Sequence, residues 1–391
     1  MGCARSIWNA KVEEERYYRT YARKYCTIGT YAPIDQTTSQ FKSKELSPWL
    51  SECPSQILRN SAVNWYQTYQ KFMSGKCGRP KRKPKTDKGS IYLTREVFRF
   101  DHCDDGNVRL FIGTKTNNIG YLSFKAHGKF EIPNSLYVRK ERGHYYVSFC
   151  YEQGQPDRKL STNEEHLAFL QGATREYLEE HTMGVDRGVA IPVCAGEQTY
   201  DFTHSQKKNM SKADRYIKRL QRKLARQQKG SNRRAKTKHR IAVHHAKKAN
   251  IRNDFAHKTS RLLVDSSAKI IVFEALRTAR MTRRPKAKQD EQGRFISNKA
   301  KQKAGLNKSI LNVGWHVIET YTYYKAYSSS KAVFKIPAPT TSQECAKCGH
   351  THPDNRKTQA LFVCGNCGNT DNADHNASLV IKKRAINLIL D

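Results

Sequence analysis

The chain is poor in acidic residues. Its 391 residues include 35 Asp and Glu against 71 Lys and Arg, which gives a formal net charge of +36 at pH 7, and the basic residues occur from end to end. A folded chain this basic repels itself unless it binds a polyanion, and nucleic acid is the natural partner. Twenty Tyr and fifteen Phe add side chains that can stack on bases, although most of them are expected in the core.

A long apolar run is also missing. A membrane-spanning helix needs about 20 consecutive apolar residues, and neither such a run nor a basic amphipathic anchor is present. No secretory signal is visible. The opening letters MGCARS fit the myristoylation pattern only formally, because the next stretch already reads as folded helix. We therefore expect a cytoplasmic, nucleoid-associated protein with no membrane partner, and the sequence leaves its oligomeric state open.

Paired cysteine spacing is absent from most of the chain. Eleven cysteines are present, an odd number. Seven of them are scattered, which suits free thiols in a reducing compartment better than a disulfide framework. These seven are Cys3, Cys26, Cys53, Cys77, Cys103, Cys150 and Cys194.

The other four cysteines form two Cys-x-x-Cys pairs, Cys345/Cys348 and Cys364/Cys367, with 15 residues between the pairs. The two-residue gap lets each pair turn both sulfurs inward, and a glycine directly after each pair eases that turn. The spacing predicts a structural zinc ribbon. Since all four positions would be filled by protein, no position remains for a catalytic water.

In the first part of the chain, the spacing of apolar residues changes once, from a helical pattern to the alternation of β-strands. Residues 1–75 have a helical pattern, with a clear helix over Ser55–Met73, and residues 78–89 form a basic loop interrupted by proline. Residues 90–152 alternate apolar and polar positions between turn residues, which favours a small antiparallel β-barrel or sheet. Residues 153–180 are polar and acidic and are expected to form a linker.

A basic helical hairpin is predicted over residues 207–265, with its second helix starting near Arg233. Residues 207–240 contain 15 Lys and Arg against a single acid, Asp214. A helix face of nearly one sign is unusual for a merely solvated surface, so we expect it to contact phosphates.

Short buried strands and helices fill the remainder. Strands are predicted near residues 182–193, 269–275 and 332–339, a flexible loop over 277–305, one helix over 309–327 and a last helix over 374–390.

Three carboxylates stand out in this pattern: Asp186 in the first buried strand, Glu274 at the end of the second, and Asp374 at the start of the last helix. Carboxylates in apolar strands are costly unless they are paired with cations or a metal. Three converging carboxylates suit Mg²⁺ or Mn²⁺, and two such ions can activate water and stabilise the leaving oxygen of a phosphodiester. Each acid alone is more often an ordinary turn or cap residue. The competing carboxylates are Asp201, Asp265 and Asp371.

The motifs around these acids resemble those of the TnpB family, the RNA-guided nucleases of insertion sequences and relatives of type V CRISPR effectors. GVDRGV, IIVFEAL and NADHNAS match the three RuvC motifs, which carries the catalytic acids onto Asp186, Glu274 and Asp374. GLNKSILNVGW and the cysteine region match the family's helix and zinc ribbon, and GCARSIWN with PWLSECPSQIL resembles its recognition segment.

This resemblance implies an α+β multidomain fold in which an RNase H-like (RuvC) α/β nuclease domain carries an inserted zinc ribbon. The implied domains are a helical recognition region (1–89), a wedge β-barrel with linker (90–180), a RuvC-like core (181–340) containing the hairpin 207–265, a zinc-ribbon module that binds target nucleic acid (341–371) and a last RuvC segment (372–391).

The implied function is an RNA-guided DNA endonuclease. A guide RNA pairs with target DNA beside a short motif that the protein reads, and the three acids cut by a mechanism with two Mg²⁺ ions. Three alternatives stay open. One is a non-cutting RNA-guided repressor, although such a protein would be expected to have lost an acid. The others are a compact type V effector with the same chemistry and a DDE-like transposase that acts directly.

Contacts to guide RNA are expected from the basic loop and the hairpin, each residue contributing little by itself. Together they predict binding that weakens steeply with salt. The candidates are Arg79, Lys81, Arg82, Lys83, Lys207, Lys208, Arg215, Lys218, Arg219, Arg222, Lys223 and Arg226.

Two departures from the family pattern have structural consequences. The family usually has a β-strand before its GC-x-R segment, and without that strand the wedge barrel would keep an open edge unless another strand closes it. The third motif has Ser378 where the family often has alanine, and we expect this change to be tolerated.

Overall fold

The computed structural model describes residues 1–25, 36–85, 88–102, 107–126, 130–141, 143–150 and 160–391. Cys26, Cys103 and the first part of the predicted linker, residues 153–159, lie outside these ranges. The five other scattered cysteines are free thiols, as predicted. The chain divides into two compact units, Met1–Gly154 and Gln155–Asp391. Among the described residues, no helix is both long enough and apolar enough to cross a bilayer.

The helices of the first unit follow the predicted pattern. Helix α3 has the predicted bounds and buries Ile57, Leu58 and Trp65. Ile7 of α1 lies in one core with Ile57 and Leu58. Gly75 follows α3 with a φ of 72°, a left-handed conformation that suits glycine and ends the helix. The helices are α1 (Gly2–Tyr17), a π-helical segment (Tyr18–Ala22), α2 (Arg23–Tyr25) and α3 (Ser55–Met73), with short 3₁₀ turns at Ser39–Phe41, Pro48–Leu50 and Arg95–Val97.

The strands of the first unit form two antiparallel sheets instead of the predicted barrel. They are β1 (Gly89–Thr94), β2 (Phe98–His102), β3 (Asn107–Gly113), β4 (Asn118–Lys125), β5 (Ser135–Glu141) and β6 (His144–Phe149). Their order is β1-β5-β6 in one sheet and β2-β3-β4 in the other, and the described residues show no pairing between the sheets. Leu93, Leu110 and Leu136 from the two sheets share one core with α3. Alternation identified the strands but could not determine which strands pair.

The second unit contains nine strands and eight helices within its described residues. The strands are β7 (Thr182–Val185), β8 (Val193–Ala195), β9 (Gln198–Tyr200), β10 (Ile270–Glu274), β11 (Lys288–Gln289), β12 (Phe295–Ile296), β13 (Ala332–Ile336), β14 (Leu361–Val363) and β15 (Thr370–Asn372). The helices are α4 (Asn163–Gln171), α5 (Arg175–His181), α6 (His204–Ala225), α7 (Asn232–Asp265), α8 (Thr278–Met281), α9 (Ala300–Val313), α10 (Trp315–Ser328) and α11 (Ala373–Leu390), with a 3₁₀ turn at Pro353–Asn355.

Strand β10 is the centre of a mixed sheet. It pairs in parallel with β7 on one side and with β13 on the other. Just beyond β7, Asp186 and Cys194 form an antiparallel bridge, with N–O distances of 2.8 and 3.0 Å, and β8 continues into the hairpin with β9. The spatial order is therefore β9-β8-β7-β10-β13.

Both faces of β10 are buried, which explains its unbroken apolar sequence. Ile271 and Phe273 face a core built with α7, α9 and α10. Ile270 and Val272 face a second core, to which α4, α5 and α11 contribute. The sheet is thus covered by helices on both sides, and its strand ends are the places where polar side chains can gather.

Three sequence predictions about this unit were wrong. Residues 160–180 are not a linker, because α4 and α5 bury Leu170 and Leu178 against the sheet and Thr162 caps α4. The predicted helix 309–327 is interrupted at Gly314, whose φ of 78° separates α9 from α10. The predicted flexible loop 277–305 contains α8, the β11–β12 hairpin and the start of α9.

Helix α11 packs directly on β7 at Gly184. A Cβ placed on Gly184 would lie 2.1 Å from the carbonyl oxygen of Ser378 and 2.6 Å from the amide nitrogen of Lys382. Both atoms belong to the helix backbone, so they cannot rotate away. A side chain here would push the helix off the sheet.

We therefore expect Gly184→Ala to lower the free energy of unfolding by about 3 kcal/mol, the upper end of the usual cost of overpacking. Thermal and urea unfolding measure this effect. Gly172→Ala is the matched control, because its Cβ would meet only a carbonyl oxygen at 3.7 Å. Equal stability of the two variants would contradict the close helix–strand packing.

Candidate active site and metal centre

Three buried carboxylates gather at one edge of the mixed sheet. Asp186 directly follows β7, and Glu274 is the last residue of the parallel neighbour β10. Asp374 lies in the first turn of α11, which packs on β7. Their exposed fractions are 9%, 6% and 3%.

The three acids influence one another electrostatically. Burial raises the pKa of Asp186 to about 7, and the charges of Glu274 and Asp374 add to the rise. Burial also raises the pKa of Glu274, although the hydroxyl of Thr341 donates a hydrogen bond to its carboxylate. The site therefore holds more negative charge than its surroundings compensate, which is an arrangement that attracts cations.

Asp374 is fixed by its own helix terminus and by one arginine. The side chain of Asn372 caps α11 by accepting hydrogen bonds from the backbone N–H groups of Asp374 and His375. Arg356 Nη2 lies 2.9 Å from Asp374 Oδ1 and also donates to the carbonyl of Gln359. Sequence reasoning did not single out Arg356, because a lone arginine between two cysteine pairs carries no spacing signal.

Arg187 is a further cation at the site that the sequence did not reveal, and this one is buried. Only 5% of it is exposed. Its guanidinium donates to the backbone carbonyl of Glu274 and to Glu319 Oε2 at 2.8 Å, and it lies 5.0 Å from the ring of Phe273. The side chain therefore links the end of β7 to the end of β10 and to α10.

The backbone after Asp186 approaches its neighbours closely. A Cβ on Gly188 would lie 2.5 Å from the carbonyl oxygen of Ile191 and 3.8 Å from Asp374 Oδ2. The indole N–H of Trp315 donates to the Gly188 carbonyl at 3.0 Å. The second glycine of GVDRGV is therefore required by packing at the site.

The NADHNAS motif also joins the site to the cysteine region. Asn376 is fully buried, donates to the carbonyl of Glu344 at 2.7 Å and accepts from the N–H of Ala346 at 3.0 Å. Ser378 is buried as well, and its hydroxyl accepts from the N–H of Gly196 at 3.1 Å. The serine in place of alanine thus has a hydrogen-bonding partner in this fold.

The competing carboxylates lie in partly or well exposed ion pairs. Asp371 pairs with His375 at 2.8 Å, Asp265 pairs with Arg261 at 2.8 Å, and Asp201 pairs with Lys207. Each of the three therefore already has a partner outside the buried cluster.

The four ribbon cysteines form a tighter cluster than the acids. Among the described residues they are the one group of three or more His, Cys, Asp or Glu whose ligand atoms all lie within 4.8 Å of one another. The three carboxylates are more widely spaced than that, and Asp374 is turned to Arg356.

The cysteine geometry fits a tetrahedral metal. The Sγ atoms of Cys345 and Cys367 are 3.7 Å apart, and those of Cys348 and Cys364 are 3.6 Å apart. Sulfurs bonded to one zinc at about 2.3 Å would be about 3.8 Å apart. The glycines after the pairs, Gly349 and Gly368, have φ values of 76° and 68°, a left-handed conformation that suits glycine at the turns the sequence predicted.

The candidate nucleic-acid residues of the basic loop contact α1. Arg79 forms an ion pair with Glu15, and Arg82 pairs with Glu13 at 3.3 Å. The ammonium of Lys83 lies 3.4 Å from the ring centroid of Trp8. The carbonyl of Lys81 accepts from the Trp8 indole. These cations are thus partly engaged within the first unit.

The candidate residues of the hairpin lie on α6 and at its end. Arg219 stacks 4.9 Å from the ring of Tyr216, and Lys207 pairs with Asp201. The described residues provide no ion pair for the others, which are Lys208, Arg215, Lys218, Arg222, Lys223 and Arg226.

Two family models match the second unit and the end of the first. The "Probable transposase" model OrfB_IS605 matches residues 148–284, and the Cas12f1-like TNB domain model matches residues 315–381. The first match contains Asp186 and Glu274, and the second contains Asp374 and all four ribbon cysteines.

Similar proteins and structures extend this likeness to most of the chain. InsQ of Escherichia coli (strain K12), named a candidate RNA-guided DNA endonuclease, is 28% identical over 379 residues, covering 96% of this chain and 85% of InsQ. The CRISPR-associated endodeoxyribonuclease Cas12f1 of Sulfoacidibacillus thermotolerans is 27% identical over 64% of this chain and 53% of its own length. A solved Cas12f1–sgRNA–target DNA complex matches 97% of this chain and 80% of the Cas12f1 chain, with a TM-score of 0.56 and 13% identity, which is a likeness of fold.

The raised pKa of Asp186 predicts a pH-dependent stability difference. Between the ordinary value of 3.8 and about 7, the folded chain binds this proton more tightly than the unfolded chain does, so the contribution of Asp186 to folding falls as pH rises through this window. Without added divalent cations, Asp186→Asn should melt higher than the parent at pH 8, and the difference should vanish toward pH 4. Thermal melts at both pH values measure it.

Asp201→Asn is the control, because Asp201 is exposed and paired with Lys207. If Asp186→Asn changes the melting temperature by the same amount at pH 4 and pH 8, the raised pKa of Asp186 would be contradicted.

Proposed function

We propose that the chain is a member of the TnpB-like family, whose relatives include the type V CRISPR effectors, and that it is an RNA-guided DNA endonuclease. The observation that carries the proposal is the burial of Asp186, Glu274 and Asp374 at one edge of the mixed sheet. Mutually repelling carboxylates are costly in a fold unless a cation is their partner. The proposed partners are a guide RNA and the target DNA.

The proposed nuclease domain is RNase H-like, of the RuvC type. The strand order β9-β8-β7-β10-β13, with an antiparallel hairpin beside three parallel strands, supports this assignment. So do the positions of the acids, one after the first strand, one at the end of the central strand and one on the closing helix. In the finer division, residues 341–371 would form a target-nucleic-acid-binding ribbon inserted before the last segment.

The acids fit Mg²⁺, whose preferred ligands are carboxylate oxygens. Bound divalent cations would supply activation of the attacking water and stabilisation of the departing oxygen of the phosphodiester. The chain would hold them with Asp186, Glu274 and Asp374. Arg187 keeps the end of β10 in place through the Glu274 carbonyl, and Thr341 orients the Glu274 carboxylate. Arg356 pairs with Asp374 and offsets part of the negative charge of the cluster.

The four cysteines are proposed to hold a structural zinc. Its role would be positional, since the ribbon supplies Arg356 to Asp374 and its backbone at Glu344 and Ala346 is hydrogen bonded to Asn376. Loss of the metal would then disturb the acids through these contacts.

Cleavage by a chain purified with the RNA of its native locus tests the nuclease proposal. Asp186→Ala should retain binding of a matched DNA target and should cut it at least ~10²–10³-fold more slowly, the loss expected when one electrostatic partner of such a transition state is removed. Asp201→Ala, which changes an exposed strand-end carboxylate, should cut normally. Guided cleavage by Asp186→Ala at the parent rate would rule out this active site.

The third acid is tested by comparing the cleavage rates of Asp374→Ala and Asp371→Ala in the same assay. Asp374→Ala should cut more slowly than Asp371→Ala, since only Asp374 is buried.

A parent complex that binds its target in Mg²⁺ and never nicks it would instead favour a non-cutting repressor. Sequencing the RNA that copurifies would distinguish a transposon-derived guide from the guide of a compact type V effector.

Metal analysis tests the ribbon. The purified chain should contain about one zinc, and Cys364→Ser should lose it and melt at a lower temperature, because the tetrahedral site needs all four thiolates. Cys77→Ser, which removes an exposed free thiol, should retain the zinc. Full zinc content in Cys364→Ser would contradict the assignment.

A further inference from the structure

A large cavity lies between the helical hairpin and α9. Its volume is about 1180 Å³, and its walls come from α6, α7, α9 and the segment after α8 at Arg284 and Pro285. None of the three buried acids and none of the ribbon cysteines lines it. It is therefore separate from the proposed active site, although it belongs to the same unit.

The cavity wall is strongly cationic. Seven of the lining residues are Lys or Arg, and Asp214 is the single acid. Asp214 is already occupied, because Lys248 lies 2.7 Å from Oδ1 and Lys308 lies 3.0 Å from Oδ2. These two ion pairs connect α6 to α7 and α9. No acidic residue of the cavity wall is left to pair with the other Lys and Arg that line it.

Several of the remaining cations have no partner within the described residues. Arg252 of α7 is half-buried in the wall and forms no ion pair or hydrogen bond there. Burial lowers the pKa of its guanidinium, although the charge of Asp214, which Lys248 and Lys308 already share, partly opposes this effect. Arg215, Lys218, Arg284 and Lys301 surround the same space without an acidic partner. A half-buried, unpaired guanidinium is costly unless an anion reaches it.

One part of the wall is apolar. Leu311 of α9 lines the cavity with 58% of its surface exposed, next to Ala304 and Pro285. Phosphate alone would not need this surface, whereas base and sugar faces would cover it. Duplexes present mainly phosphates to a protein, since their bases stay stacked inside. The combination therefore favours unpaired nucleotides.

We propose that this cavity binds a short single-stranded segment of nucleic acid, with its phosphates at Arg252 and Lys301 and a base face against Leu311. In this proposal only part of the hairpin binds the strand, since Arg215 and Lys218 line the cavity and Arg219 does not. RNA and DNA strands share this chemistry. The inference does not require the chain to cut DNA.

Fluorescence anisotropy of the full chain with labelled oligo-dT, oligo-U and a duplex of equal length tests the proposal, without guide or divalent cations. The double variant R252Q/K301Q should bind both single strands about tenfold more weakly and should reduce the slope of log K against log salt by about 1.4, or ~0.7 for each lost phosphate contact. Leu311→Ser should weaken binding of the single strands and leave duplex binding unchanged.

The matched control is R175Q/K269Q, two exposed cations that lie outside both the hairpin and the cavity. Equal losses for the control and for R252Q/K301Q would overturn the proposal in favour of unspecific attraction. Equal effects of Leu311→Ser on strand and duplex, or no effect on either, would overturn the single-strand assignment. A preference for oligo-U or oligo-dT would identify the source of the strand.

A measurement on the parent chain keeps the test valid if a variant fails to fold. Acetylation footprinting should show Lys301 and Lys308 protected by oligo-dT or oligo-U, and Lys269, which lies outside the hairpin and the cavity, still reactive. Unprotected cavity lysines under saturating strand would refute the site, whatever the cleavage assay shows.

Discussion

The burial of three like charges at one sheet edge constrains much of the second unit. Burial raises the pKa of Asp186 to about 7, and the charges of Glu274 and Asp374 add to the rise. The fold limits the cost of this burial with one buried guanidinium, that of Arg187, and one partly exposed guanidinium, that of Arg356. Arg356 pairs directly with Asp374, and Arg187 joins Glu319 to the backbone of Glu274. Neither arginine neutralises the whole cluster, so the site remains attractive to cations, which is what metal-dependent phosphodiester chemistry requires.

Close backbone contacts bring the acids to that edge. Gly184 allows α11 to lie against β7, and Gly188 allows the following turn to pass beside Asp374. Helix α11 therefore carries an acid and covers one face of the sheet, and through Asn376 it also holds the cysteine ribbon. A change in the ribbon can therefore affect the acids through two direct contacts. One is the pair of hydrogen bonds made by Asn376, and the other is the ion pair between Arg356 and Asp374.

The positive charge of the chain serves several purposes. Some cations are structural: Lys248 is buried and binds Asp214, and Arg187 is enclosed among the strand ends. Others, such as Arg252, line the hairpin cavity without an acidic partner among the described residues. The net charge of +36 predicted a polyanionic partner, but only burial and pairing separate the cations that stabilise the fold from those available to a ligand.

Local pattern by itself determined the α3 helix, the hairpin helices, the three parallel strands and the two cysteine pairs, because period and spacing are properties of neighbouring residues. Pairing between distant segments was decided only by tertiary structure. Alternation left a barrel and a single sheet open, and the described residues form two sheets. The polar composition of α4 and α5 suggested a linker, because the role of Leu170 and Leu178 is recognisable only once the sheet that buries them is known. Arg187, Arg356 and Arg252 escaped notice for the same physical reason: a cation's role depends on which charges the fold places beside it.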